Sequence, residues 1–258
     1  MRKPQRLNRI VELLREEGAL PVNSLSERLG VSHMTIRRDL ETLASNQIVK
    51  LIYGGAALSP AAHSDPAEKP YSLHNASARR IEDKKRIGGF ASTLIEPNET
   101  LIIDSGSTTE FIAKQIPADL SLTVICYALN IFAAVQRHGC ERIILGGGVY
   151  HENLMMFESP ESVALIRRYR ARRAFVSAAG VSPEFGVTCR NAFERETKRA
   201  VIESSVEKIL LVDSSKFGTV YSDYFGDLDE FDTIVTDTSI SVSALTELRA
   251  CDITVWTV

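Results

Sequence analysis

The chain has 258 residues, 44% hydrophobic and 24% charged, with a formal net charge of −3. That length and composition support a packed core, and no apolar run reaches the ~18 residues of a membrane span, which excludes wholesale disorder and a membrane helix. With no signal peptide before the first charged helix, and four scattered cysteines (Cys126, Cys140, Cys189, Cys251) lacking a C-x-x-C pair, a soluble cytoplasmic protein without disulfide framework or metal site is expected.

Residues 1–60 hold nine Lys/Arg against six Asp/Glu, a net of +3, which leaves −6 for the remainder. A small basic head on an acidic body suits a polyanion that meets only the head, although an imbalance of this size is also ordinary chance. Leu7, Ile10, Val11, Leu13 and Leu14 recur at helical spacing from Gln5 to about Glu17, where Gly18 ends the run. A second short helix is expected from Asn23 or Ser24, with Leu25 and Leu29 on its apolar face. Gly30 suits the left-handed turn that follows, and Ser32 can cap a third helix from His33 to about Ala44. The β-rich run Ile48–Tyr53 stops at Gly54-Gly55 as a hairpin or wing does.

Residues Leu58 to Lys69, with Pro60 and Pro66 and no apolar period, read as a linker. The expected division is therefore a head over 1–57, a linker over 58–76 and a body over 77–258. In the body, strand-like runs at Leu101–Ile103, Leu122–Cys126, Arg142–Leu145, Ala174–Val176, Ile209–Val212, Thr233–Val235 and Ile253–Val255 alternate with amphipathic stretches. Ile112–Ile116, Asn130–Gln136, Ser162–Tyr169 and Arg195–Val206 are the helical ones, and such alternation predicts a largely parallel sheet covered by helices.

On the third helix, Ile36, Leu40 and Leu43 form a buried seam, so Ser32, His33, Thr35, Arg37 and Arg38 stand at the free N-terminal half. In a helix-turn-helix that half reaches base edges, Arg bonding guanine O6 and N7 together and the Thr methyl touching thymine. An arginine pair on a solvated surface helix has the same local sequence. The string Val31-Ser32-His33-Met34-Thr35-Ile36-Arg37-Arg38-Asp39-Leu40, followed by Tyr53-Gly54-Gly55-Ala56, resembles the winged helix-turn-helix signature of the DeoR family of bacterial transcriptional repressors. That resemblance implies duplex operator DNA as a partner, with Lys50 and the wing on the backbone and Asp39 bracing Arg37 or a neighbouring helix.

In the body, Leu101-Ile102-Ile103-Asp104-Ser105-Gly106-Ser107-Thr108-Thr109 is a strand, a hydroxyl-rich turn and a helix start. Gly106 allows close backbone approach, and the N–H groups and hydroxyls of Ser107, Thr108 and Thr109 suit a phosphate; an ordinary capped turn fits equally. Lys216, in Asp213-Ser214-Ser215-Lys216-Phe217-Gly218, follows another strand and supplies a point charge. Ligands in open parallel sheets bind beyond the carboxyl ends of strands, so both segments can line one crevice, with Gly147 of the run Gly146–Gly148 leaving room for a sugar. Asp104, Asn130 and Glu194 are the expected acceptors for sugar hydroxyls.

From about Lys84 to Asp237 the body resembles the effector-binding domain of the same family, which implies a ribose-5-phosphate-isomerase-like α/β fold and a phosphorylated sugar as ligand. Ser177–Val181, Gly186–Asn191 with Glu194 and Lys198, and Gly226–Asp232 are similar to family members whose inducer is 2-deoxyribose 5-phosphate, while Arg190, Phe193, Arg195 and Glu196 depart from that pattern. The whole resemblance implies a repressor of a carbohydrate or nucleoside catabolic operon, without cofactor or catalytic residues, acting as a homo-oligomer because one small reading head buries too little surface. Two alternatives stay open: an activator with the same ligand, and a sugar-phosphate isomerase or aldolase with a DNA-binding head. The enzyme needs a carboxylate base beside the sugar, and Gly146–Tyr150 holds no acid before Glu152. Cys126 and Cys189 lack an evident His or Asp partner and are expected in the core or pocket wall.

Overall fold

The computed structural model describes residues 2–17, 19–46, 48–58, 71–118, 120–138, 140–251 and 253–258. The N-terminal unit comprises α1 (Lys3–Glu17), β1 (Ala19–Pro21), α2 (Val22–Leu29), α3 (His33–Ser45), β2 (Val49–Ile52) and β3 (Gly55–Leu58). Leu7, Ile10, Leu14, Leu25, Ile36, Leu40 and Leu43 meet in one buried cluster, so the helical seams of all three helices face each other. α2 starts behind Pro21 and not at Asn23 or Ser24. Its preceding residues are committed to a strand, since Ala19 pairs with Ala57 and Pro21 with Gly55, giving a three-stranded sheet in the order β1-β3-β2. Gly30 and Gly54 take the left-handed backbone (φ 64° and 75°) that the two turns require. Leu58, expected to open the linker, instead ends β3. Gly18 and residues 59–69 of the expected linker lie outside the described residues.

The C-terminal unit begins with α4 (Leu73–Ser77), α5 (Ile81–Ser92), β4 (Thr100–Ile103), α6 (Thr109–Ala113), β5 (Thr123–Cys126), α7 (Leu129–Arg137) and β6 (Arg142–Leu145). It continues through β7 (Val149–His151), β8 (Met156–Glu158), α8 (Pro160–Arg167), β9 (Ala171–Val176), β10 (Gly180–Ser182), β11 (Gly186–Cys189) and α9 (Ala192–Glu203). The last elements are β12 (Ser205–Leu211), β13 (Asp223–Gly226), β14 (Thr233–Thr236), α10 (Val242–Arg249) and β15 (Thr254–Thr257).

All seven apolar runs become strands of one parallel sheet, ordered β15-β14-β12-β9-β4-β5-β6. Its interior strands are buried along their length (Ile102, Val124, Phe175, Leu210, Ile234), as parallel strands covered by other elements must be. On the edge strand β15, Trp256 is 47% exposed and leans on Phe90 of α5, ring centroids 5.2 Å apart. The chain winds outward from β4 to β6, then returns to β9 on the other side of β4, so the topological switch lies between β4 and β9. Two small antiparallel pieces join the sheet unannounced: the β7–β8 hairpin and a three-stranded sheet β10-β11-β13. Phe185, between β10 and β11, is 3% exposed and belongs to the N-terminal unit's cluster. Among the described residues no helix is long and apolar enough to cross a membrane.

Candidate functional site

Two surfaces carry the sequence-expected residues. The first is the outer face of α3. Ser32 caps it, its Oγ accepting from the Thr35 N–H at 3.2 Å and lying 2.9 Å from the Thr35 hydroxyl. Behind the face, Ile36, Leu40 and Leu43 are at most 1% exposed. Asp39 is buried beside them and accepts from Arg6 Nε and Nη2 at 2.6 and 3.1 Å, which ties α3 to α1. The expected brace thus runs to a neighbouring helix and not to Arg37. His33, Met34, Arg37 and Arg38 are exposed, and among the described residues the guanidinium groups of Arg37 and Arg38 make no ion pair or side-chain hydrogen bond. Lys50 is likewise exposed on β2, and Tyr53 stands fully out at the wing tip. Free cations on a rigid helix and a wing, over a common core, form a surface shaped for a polyanionic groove.

The second surface is a cavity at the carboxyl ends of β4, β9 and β12, beside the topological switch, where open α/β sheets place ligands. Gly106, Ser107 and Thr108 line one side, Ala178, Ala179 and Arg190 another, and Lys216 comes from the loop after β12. A Cβ on Gly106 would lie 2.3 Å from Ser177 Oγ, so the turn packs this tightly only with glycine there. The helix it opens, α6, has only five residues, so its dipole is short and the cavity's charge must come from side chains.

Those side chains are Lys216 and Arg190. Burial pushes the Lys216 ammonium below its ordinary value; Asp213 opposes this, while Arg190, Arg80 and Arg79 add to the depression. Burial also lowers Lys84, to about 8, with Asp213 opposing and Lys216 among the positive charges that reinforce the shift. The Arg190 guanidinium stacks over Tyr71 and Tyr221, 4.8 and 4.3 Å from the ring centroids, and among the described residues neither it nor Lys216 has a carboxylate within ion-pair distance.

The cavity floor is a buried polar network. Lys198 donates to Asp104 Oδ2 at 2.6 Å and to the Ser177 carbonyl at 3.0 Å. The Ser177 N–H and hydroxyl also donate to Asp104 Oδ2, at 2.8 and 3.2 Å, and the Tyr127 hydroxyl donates to Oδ1. Although burial works against its charge, Asp104 and Glu194 hold Lys198 above its ordinary value. Burial raises Glu194, against the pull of Lys198, and Glu194 caps α9 by accepting from Asn191 N at 3.0 Å.

Of the expected ligand residues, Gly106, Ser107, Thr108, Glu194 and Lys216 therefore line one cavity. The other four do not. Asp104 is fully buried behind the cavity wall, its Oδ2 taken by Lys198 and Ser177 and its Oδ1 by Tyr127, so it holds Lys198 in place and does not face the cavity. Thr109 is fully buried and its hydroxyl donates back to the Gly106 carbonyl at 3.1 Å. Asn130 donates to Glu110 at 3.0 Å, outside the lining, and Gly147 is held by Ser159 Oγ on the exposed loop after β6. Tyr71, Ser105, Leu154, Ser177, Arg190 and Lys198 also line the cavity, and of these Ser177 follows an apolar run just as Asp104 does, the same signal that marked the first turn. Cys126 and Cys189 are buried, and burial raises both thiols, Cys126 to about 12. Among the described residues no three His, Cys, Asp or Glu gather as metal ligands would.

Comparison with known proteins gives two family matches: a DeoR-like helix-turn-helix domain over residues 6–60 and a DeoR C terminal sensor domain over residues 79–238. The chain is 34% identical to the deoxyribose operon repressor of Escherichia coli K12, covering 92% of this chain and 91% of that one. It is 30% identical to the glycerol-3-phosphate regulon repressor of the same strain, covering 95% of each. Ribose 5-phosphate isomerase A from Methanocaldococcus jannaschii aligns over 52% of this chain and 53% of its own, with a TM-score of 0.40 and 14% identity.

Proposed function

The chain belongs to the DeoR family of helix-turn-helix transcriptional repressors, and on that premise we propose that it represses a carbohydrate or nucleoside catabolic operon and is released by a phosphorylated sugar, 2-deoxyribose 5-phosphate being favoured. Arg37 and Arg38 read base edges, with Ser32, His33 and Thr35 beside them, and Lys50 holds a backbone phosphate. Paired heads on a homo-oligomer read paired half-sites.

One observation carries the ligand class. Lys216 and Arg190, without an ion-pair partner among the described residues, face a turn of backbone N–H groups and hydroxyls in a single cavity. Keeping two cations half-buried together is unfavourable unless an anion joins them. In this reading the phosphate sits on Gly106, Ser107 and Thr108 between Lys216 and Arg190. The sugar then extends toward Glu194, which replaces Asp104 as the hydroxyl partner. The preference for a deoxypentose rests on the similarity to the deoxyribose operon repressor.

Retention of a duplex from upstream of the protein's own gene, titrated with sugar phosphates, tests this. 2-Deoxyribose 5-phosphate should release the duplex at lower concentration than ribose 5-phosphate or glycerol 3-phosphate. Release by unphosphorylated deoxyribose at equal concentration would contradict the phosphate assignment. The isomerase alternative has weaker support: its base would have to be Glu194, which already caps α9 through Oε1, and a lysine that pairs with phosphate, as Lys216 does in this reading, must stay charged whereas a Schiff-base nucleophile must be neutral.

A further inference from the structure

The head is seated on the body by an apolar plug surrounded by ion pairs. Phe185, a residue of the body, is 3% exposed within the cluster formed by α1, α2 and α3. Around it Arg15 pairs with Asp223 at 2.9 Å, Arg2 with Asp229 at 2.8 Å, Glu12 with Arg195 at 3.4 Å, and Lys3 with Glu184. Phe185 sits at the tip of the β10–β11 hairpin, and that tip is stiff. Pro183 fixes one dihedral, and Ser182 Oγ accepts from the N–H groups of Glu184 and Phe185 at 3.2 and 3.3 Å.

The other end of the same hairpin opens on the cavity. Ala178 and Ala179 run into β10, Arg190 leaves β11, and all three line the cavity wall. The Lys216 loop is fastened to the hairpin as well. Gly218 N–H donates to the Val181 carbonyl at 2.9 Å, and Tyr221 N–H donates to Thr188 Oγ1 at 3.0 Å. Contact is tight enough that a Cβ on Gly180 would lie 2.2 Å from the Thr219 carbonyl oxygen. Lys216 and Arg190 are therefore tied by short backbone paths to three rungs of ladder, Gly180 to Thr188, Val181 to Val187 and Ser182 to Gly186, that end in the head's core.

We propose that the β10–β11 hairpin is the lever by which the cavity controls the head, with Phe185 as its working tip; the proposal rests on the effector reading above. An anion that draws Lys216 and Arg190 together moves the base of the hairpin, and the stiff tip carries that displacement into the seat of α1 and α3. Two heads bound to one operator need a fixed separation and orientation, so a shifted seat releases the duplex. Phe185 is here a positioning residue that touches neither sugar nor DNA. The ligand acts only through its different affinity for the two seats.

The test uses the full-length chain, the upstream duplex and 2-deoxyribose 5-phosphate, with sugar binding followed by calorimetry on the same samples. In the wild-type protein, saturating sugar should weaken duplex binding at least tenfold. Phe185→Ala should bind the sugar within about threefold of wild type while its duplex affinity changes less than twofold on adding sugar, and Phe185→Leu should restore the response. A Phe185→Ala protein that responds to sugar as the wild type does overturns the lever. If the wild type itself fails to bind sugar, the effector reading fails, and a ligand-free cycle decides the lever separately. Gly180→Ala forces hairpin and Lys216 loop apart, so it should alter duplex affinity when Phe185 is present and leave it unchanged in Phe185→Ala. Equal effects of Gly180→Ala in both backgrounds would overturn the proposal.

Discussion

Truncating Lys216 to Ala removes a charge-assisted contact to phosphate, an interaction that typically contributes ~1.5–3 kcal/mol. The half-maximal concentration of the sugar phosphate should rise about tenfold or more, while duplex binding without sugar stays unchanged; calorimetry and a duplex titration on one preparation check both. The neighbouring positive charges add a pH dependence. Lys84 is lowered to about 8 by burial, with Asp213 opposing and Lys216 reinforcing the shift. An ammonium whose folded pKa lies below its unfolded one carries its full penalty below the folded pKa, and the penalty is relieved as pH rises toward the unfolded value. A bound phosphate favours the charged form, so sugar-phosphate affinity should fall as pH rises through about 8, with proton uptake on binding near that pH. An affinity that is flat from pH 7 to 9.5 would contradict this. Residues that end an apolar run are legible in the sequence, which is why Gly106, Ser107, Thr108 and Lys216 were expected at one crevice, and they line one cavity. Asp104 misled because a carboxylate at a strand end reads alike whether it faces a ligand or a buried lysine 94 residues away. Asn130 and Gly147 belong to the side of the sheet wound around β5 and β6, and linear sequence does not say how far that side lies from the switch.

At the scale of elements, α3 is positioned by its buried seam and by the Arg6–Asp39 pair, so its outer face is presented rigidly. Arg37→Ala or Arg38→Ala should each weaken operator binding by ~1–3 kcal/mol where the arginine makes a bidentate base contact. Unchanged binding in both variants would remove α3 as the reader. Lys50→Ala should instead weaken every duplex sequence about equally and lower the salt dependence by roughly one released counterion. Binding measured over a range of salt concentrations on specific and scrambled duplexes separates these outcomes. The helices and parallel strands were readable because each is a long enough apolar pattern with one period. The pieces that escaped are short and depend on distant partners: β1 exists because β3 offers it an edge, and β10, β11 and β13 have three or four residues each. Those short strands are also what connects the cavity to the head.

For the molecule as a whole, the uneven charge distribution takes on a geometric meaning. The basic residues Arg2, Lys3 and Arg15 face Asp229, Glu184 and Asp223 of the acidic body. Arg37, Arg38 and Lys50 are exposed and make no ion pair among the described residues. The body thus neutralises one set of the head's cations and leaves those of α3 and β2 unpaired, an arrangement that a count of charges along the chain does not reveal. The family signature in the head and the strand–turn pattern in the body are what the expected division into head, linker and body rests on. The seat between the two units was not readable, since Phe185 looks like any hydrophobe beside a hairpin turn.

Trp256 makes this seat measurable. It is the chain's one tryptophan, half exposed against Phe90 on the body's edge strand, and the head has none. Indole emission during denaturation consequently reports the body alone, whereas far-ultraviolet circular dichroism also follows the helices of the head. If Phe185 welds the two units into one cooperative structure, the two signals should share a midpoint in the wild-type chain and separate in Phe185→Ala, with the head melting first and the emission still native.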